Sequence, residues 1–313
     1  MASKSVRKPC EFANTPAGHR LLIHALRRAP HPVRVCMEAT GLYGLDLALA
    51  LHAAGIAFMM ANPRSVRNFA RAMMQRSKTD RLDAVVLREY AVRMPFVPWQ
   101  PPSSEALQLM AVAHRIQALT RMLAAEKNRL HAASLSRAWP VLIRRDLVRS
   151  IQNMERAVKR LTQAALQRVI GDPQLARRNE LLLSVPGIGV TSTLNLLAEI
   201  LRLGPDATVR QWVAYAGLDP RHHTSGTSVA KKPAVNKFGN AHLRRALYMP
   251  ALVASQHQPH FRGFYQHLLA RGKTKFQALV AVMRKLLHAI FGMFKHNQPF
   301  DGSKIYALET SCP

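Results

Sequence analysis

The sequence predicts an α/β first domain followed by mainly α-helical ones. Three observations carry this: short apolar runs alternate with helical patterns between residues 10 and 62, apolar residues recur in steps of three and four between 109 and 165, and helical patterns dominate after residue 175. Alternating strands and helices imply a sheet with parallel neighbours, and functional groups gather at the carboxyl ends of such strands. With 313 residues and 48% hydrophobic content, the chain buries a sizeable core and divides into two domains or more.

A helix pattern runs from Gly18 to Arg28. "VRVCME" is a short strand run, "YGLDLALALHAAG" a helix closed by Gly55, and "IAFMMANP" a second strand stopped by Asn62 and Pro63. Helices follow from Ser65 to Met74 and from "QRSKTD" through Tyr90. The proline-rich "MPFVPWQPP" (94–102) reads as a linker, giving a first domain over 1–95. A helical region spans 103–170. In its first helix Leu109, Val112, Ile116, Leu119, Leu123 and Leu130 form a seam with Glu126 filling one position; in its second, Leu147, Ile151, Met154, Val158, Leu161 and Ala165 do the same. This coiled-coil-type pattern, interrupted near Pro140, predicts an antiparallel pair or a dimerising arm, and ordinary bundle core has the same spacing. Gly171-Asp172-Pro173 closes the region, and a mostly helical domain covers 175–305.

Charge points to the partner. The chain holds 45 Lys and Arg against 17 Asp and Glu, a formal charge of +28. From Pro220 to Phe300 there is no acid, while thirteen Lys/Arg and eight His fall in that span. Charge of one sign over such a length suits phosphate neutralisation with counterion release, so nucleic acid is the expected partner; a solvated basic face is the plainer alternative. Cys10, Cys36 and Cys312 have no disulfide or zinc spacing, and a reducing cytoplasm fits them. The most apolar stretches are interrupted by His52 or by Arg284-Lys285, so neither a membrane span nor a signal peptide is expected.

Three groups of residues carry candidate chemistry. Glu38 ends a strand, and Asp80 and Asp83 in "KTDRLDA" share a helix face; three carboxylates offer the hard oxygen ligands that Mg²⁺ prefers. Ser77 with Asp80 fits a helix capping box equally well. Val185-Pro186-Gly187-Ile188-Gly189 looks like the turn of a helix-hairpin-helix, where Gly187 and Gly189 let backbone N–H groups approach a phosphate, though a tight turn without a ligand uses the same residues. The polar loop "GLDPRHHTSGTSVAKKP" holds the hydroxyls of Thr224, Ser225, Thr227 and Ser228. Beside them stand His222 and His223 as candidate bases, and Arg221, Lys231, Lys232, Lys237, Arg244 and Arg245 as candidate contacts to DNA phosphates. Chemistry alone does not choose among the hydroxyls.

Seven phrases, taken together and in order, resemble one family: "FANTPAGH", "CMEATGLY", "ANPRSVRNFARA", "KTDRLDA", "SVPGIGVTS", "WVAYAGLDPRHHTSGTSV" and "LRRALYMPALVA". The chain is similar to the insertion-sequence transposases that join a Holliday-junction-resolvase-like DEDD domain to a serine-bearing transposase domain, enzymes described as bridge-RNA-guided recombinases. The resemblance implies an RNase-H-like (RuvC-like) first domain, a coiled-coil middle and a C-terminal domain carrying the nucleophile. It matches Glu38, Asp80 and Asp83 to metal-binding catalytic carboxylates and Ser225 to a serine that attacks a DNA phosphodiester. It further implies Mg²⁺ as cofactor, donor and target DNA with a guide RNA as partners, a homo-oligomer, and action on nucleoid DNA. The family's first Asp belongs to a strand ahead of the "FAN" phrase, and no Asp precedes Asp46 here, so three of four carboxylates are expected. A misassigned start or a remnant that binds without cutting follows from that departure; a junction nuclease using only the carboxylates is a third reading.

Overall fold

The computed structural model describes residues 10–39, 41–75, 79–135, 138–204, 206–225, 229–235 and 239–308, with the main chain alone for Leu42 and 220–235. The chain is mostly helical and divides into two compact units, Met1–Pro101 and Pro102–Pro313.

The first unit alternates as its sequence predicts: α1 (Pro16–Arg27), β1 (Val35–Glu38), α2 (Leu45–Ala53), β2 (Phe58–Ala61), α3 (Pro63–Ala72) and α4 (Asp80–Arg93). The two strands pair in parallel, Val35 with Phe58 through Glu38 with Ala61. Side chains alternate across the pair. Val35, Met37, Phe58 and Met60 pack with Ile23 and Leu26 of α1 and with Ala48 and Leu51 of α2. Cys36 and Ala61 pack with Val66 and Phe69 of α3 and Val86 and Tyr90 of α4. Asn62 and Thr79 cap α3 and α4, accepting from the N–H groups of Arg64 and Leu82. The cap of α4 is therefore Thr79, two residues after the Ser77 that sequence spacing suggested; Ser77 itself lies outside the described residues. The stretch read as a linker is docked at Trp99, whose N–H donates to the Phe58 carbonyl (2.8 Å) and whose ring lies 5.2 Å from that of Phe58.

The second unit opens with α5 (Ser104–Ser134) and α6 (Val141–Gly171), an antiparallel pair registered by the Lys127–Glu155 ion pair at 2.7 Å and by an Arg168–Gln108 hydrogen bond. The predicted seam is the contact: Leu109, Ile116, Leu119, Leu147, Ile151, Met154 and Ala165 are buried and the remaining apolar seam positions half-buried. Then follow α7 (Pro173–Leu183), α8 (Val190–Ile200), α9 (Val209–Ala216), β3 (Pro220–Ser225), β4 (Val229–Val235), α10 (Ala241–His257), α11 (Pro259–Ala270) and α12 (Lys275–His296). One core joins the near ends of α5 and α6 to α7–α12. The helix α12 is long and apolar enough to cross a membrane. It serves instead as the centre of this core, where Val282, Leu286, Leu287 and Ile290 are fully buried.

The segment read as a loop is a β-hairpin. β3 and β4 run antiparallel, with Ser225 opposite Val229, Thr224 opposite Ala230 and His223 opposite Lys231, and a register shift between Arg221 and His223. Its composition hides this, because "PRHHTS" and "VAKKPAV" lack the strict apolar alternation that announces a half-buried strand.

Candidate active site

Glu38 lies two residues beyond Cys36, so strand alternation places it in the layer of α3 and α4. Asp83 stands three residues before Val86 and seven before Tyr90, and so continues the stripe of α4 that packs on the strands; Asp80, at the start of α4, is exposed. Glu38 and Asp83 thus share one strand–helix layer. Among the described residues, the ligand atoms of Glu38, Asp80 and Asp83 do not gather within 4.8 Å of one another; those of His114, Glu199 and His242 do. All three acids are hard oxygen donors, which suits Mg²⁺. Two of the phrases read in the sequence meet nearby: Asn14 donates to the Tyr43 carbonyl (2.8 Å) and pairs with His19 (2.8 Å).

The glycine turn connects α7 to α8. Gly187 has φ +97°, and a Cβ there would lie 3.0 Å from the Pro250 carbonyl and from the Val253 Cβ of α10, so both conformation and packing demand glycine. Gly189 is exposed, begins α8 without a side-chain cap, and has open space where a Cβ would stand.

Ser225 is the last paired residue of β3. Arg221 lies in the same strand and Lys231 and Lys232 in β4, while Lys237 is outside the described residues. At the hairpin's root, Arg244 donates to the Ala216 carbonyl at the end of α9 (2.9 Å), whereas Arg245 is exposed.

That root is built on a cluster the sequence reading missed. Glu199 of α8 is fully buried. His114 of α5 donates from Nε2 to its Oε1 (2.5 Å), Asn240 donates from Nδ2 to its Oε2 (2.6 Å), the Tyr215 hydroxyl lies 3.4 Å away, and the Arg202 guanidinium 3.6 Å. Burial by itself pushes the Glu199 carboxyl up. The hydrogen bond and charge of His114, the charge of Arg202 and the amide of Asn240 outweigh it and hold the group below the usual carboxylate value. Tyr215 is pushed up to about 12, by burial first, with Arg202 opposing and Glu199 reinforcing. His242 stacks on His114 and its Nδ1 meets Gln117 Oε1 at 2.8 Å.

Despite its donors, the cluster is arranged as a hydrogen-bonded network. Tetrahedral ligands at zinc distances stand roughly 3.3 Å apart, and the 2.5 Å between His114 and Glu199 is a hydrogen bond. Stacked imidazoles also hold their lone pairs nearly parallel, where a shared ion needs them to converge. One sequence signal could have exposed the site: Glu199 stands alone in the apolar run "LNLLAEI", and a charge there needs partners.

Comparison with known proteins supplies the family. A family described as Transposase matches residues 2–140, and the Transposase IS116/IS110/IS902 family matches residues 179–266. The pilin gene-inverting proteins of Moraxella bovis and Moraxella lacunata are each 31% identical over 296 residues, covering 93% of this chain and 90% of theirs. The transposase for insertion sequence element IS1328 of Yersinia enterocolitica is 30% identical over 213 residues, 60% of this chain and 62% of its own. With both halves matched and a relative aligned nearly end to end, the chain belongs to the IS110-type transposase family and is an enzyme of the transposase/recombinase class, which acts on DNA.

Proposed function

We propose that this chain cuts and rejoins DNA with Ser225 as nucleophile, and that Glu38, Asp80 and Asp83 on an RNase-H-like first unit hold Mg²⁺. The observation that carries the reading is the placement of Ser225 at the end of a hairpin strand whose root is tied into the core of the second unit. In the first step the Ser225 Oγ forms a bond to a DNA phosphorus, a deoxyribose oxygen leaves and takes a proton, and the serine proton passes to solvent or a nearby base. Attack by the hydroxyl of a second strand then re-forms a phosphodiester and releases the serine. Glu38, Asp80 and Asp83 would hold the Mg²⁺, which when bound would supply charge neutralisation to a phosphate.

The acid-free stretch from 220 to 300 gives the phosphate backbone a one-signed surface, and Gly187, Gly189, Arg221, Lys231, Lys232, Lys237, Arg244 and Arg245 are the proposed contacts. Two DNA molecules must be held together, so a homo-oligomer is part of the reading. Leu135 and Trp139 between α5 and α6, and Val141 and Leu142 in the first turn of α6, are exposed, apolar surface that suits such an assembly. An element-encoded guide RNA, proposed on the family resemblance, would supply sequence choice by pairing.

The test is the covalent intermediate. Ser225→Ala is expected to bind DNA as the parent does and to yield no protein–DNA adduct after denaturation; an unchanged adduct yield overturns the serine assignment.

A further inference from the structure

The hairpin that carries Ser225 leaves the fold after Leu218 and returns at Gly239, and both legs are fastened. Leu218 is buried and its N–H donates to the Val213 carbonyl (3.0 Å). Gly239 passes so close to Gly217 that a Cβ on it would lie 2.2 Å from the Gly217 nitrogen. The next residue, Asn240, donates its N–H to the Tyr215 carbonyl at 2.6 Å.

The Asn240 side chain does two separate things. Its Oδ1 caps α10, accepting from His242 N–H (2.8 Å) and Leu243 N–H (3.0 Å). Its Nδ2 points the other way, into the core, donating to Glu199 Oε2 (2.6 Å) and to the Tyr215 hydroxyl (2.7 Å). Glu199 is fully buried, and taking a carboxylate out of water costs several kcal/mol that an apolar side chain would not. What the carboxylate supplies, and a leucine could not, is a directional acceptor at which α5 and the returning hairpin leg meet.

We propose that Glu199 is a positioning residue for the recombination step: through Asn240 it fixes the return leg of the β3–β4 hairpin, and with it the place of Ser225. The proposal rests on the reading of Ser225 as the nucleophile. Its structural half, the fastening of the hairpin, stands independently of that reading.

The experiment separates capping from fastening by exchanging donors and acceptors in the full chain. Asn240→Asp keeps an N-cap acceptor for α10, since Asp and Asn cap equally well, but removes the donor and sets a second carboxylate against Glu199. Glu199→Gln keeps the shape, removes the charge and leaves one acceptor oxygen in place of the two that serve His114 and Asn240. The double variant, Glu199→Gln with Asn240→Asp, restores the pairing with reversed polarity. The amide introduced on α8 then donates to the carboxylate introduced at the cap of α10, His114 still donates to the oxygen of that amide, and the Tyr215 hydroxyl donates to the new carboxylate.

Two quantities are read, backbone amide exchange across the hairpin and the rate of adduct formation at saturating DNA. Each single variant is expected to speed exchange of the hairpin amides at least tenfold and slow adduct formation at least tenfold with DNA affinity unchanged; the double variant is expected to bring both back to within about threefold of the parent. Parent-like exchange in Asn240→Asp overturns the proposal. So does a double variant that melts like the parent but recovers neither quantity. Persistence of adduct in Ser225→Ala, measured alongside, would strike only the nucleophile assignment, because the exchange arm does not involve the Ser225 hydroxyl.

Discussion

His114 and His242 stack ring on ring, 3.9 Å between centroids and 20° between planes, beside the buried carboxylate of Glu199. A proton on His242 is therefore opposed by the ring stacked on it. The groups that face His242 are His114 and Gln117 of α5, Glu199 of α8, Arg202 just beyond it and Arg245 of its own helix. Burial first, then His114, with Arg245 and Arg202 adding to it and Glu199 opposing, hold His242 below its ordinary value.

The pH dependence of stability follows with a definite sign. Below about 6.5 the unfolded chain binds a proton that folded His242 refuses, so stability falls as the pH drops through that range. Glu199, depressed in the fold, contributes stability that is full above its unfolded value near 4.5 and is lost as the pH falls through its folded value. Denaturation midpoints measured from pH 7.5 to 5 are expected to decline, and to decline less in His242→Gln. Parallel profiles for parent and variant would sink this assignment.

Removing the imidazole of His114 leaves Glu199 buried and short of a charged partner. His114→Phe is expected to cost about 3 kcal/mol by chemical denaturation. Arg88→Ala, which removes an ion pair whose arginine is 51% exposed, is expected to leave the denaturation midpoint nearly unchanged. Equal costs for the two would mean that the buried network contributes nothing special.

The glycine turn allows stability and DNA contact to be separated. Gly187→Ala meets both the strained φ of +97° and the α10 backbone, and is expected to destabilise the second unit by more than about 1 kcal/mol. Gly189→Asp has open space and supplies the side-chain cap that α8 lacks, so it is expected to leave stability unchanged or raised. Its negative charge at a helix N-terminus should nevertheless weaken DNA binding at low salt. Unchanged affinity would remove this turn from the proposed contacts.

Metal dependence tests the carboxylates. Asp83→Asn and Glu38→Gln are expected to retain DNA binding and to shift the Mg²⁺ concentration needed for adduct formation upward at least tenfold. If a Mg²⁺ titration of either variant overlays the parent's, that residue is not a ligand.

Much of this protein is legible in its local patterns, because periodicity and turn chemistry are local. The alternation through 10–62 specified a parallel strand pair with Glu38 at its end, and the three-four spacing from Leu109 to Ala165 specified the antiparallel helices. The phrases around Glu38, Asp80 and Ser225 pointed to the family that the comparisons then showed. Other features answer to no local signal. Residues 220–225 and 229–235 pair as a hairpin through their main chain, which a polar composition without apolar alternation does not announce. Trp99, in what reads as a linker, finds its partner Phe58 forty-one residues earlier. Only the tertiary structure could place His114, Glu199, Tyr215, Asn240 and His242 together. They come from four helices and one turn, with His114 and Glu199 85 positions apart in the chain, and a buried carboxylate takes its partners from whatever the packed core brings within hydrogen-bond reach.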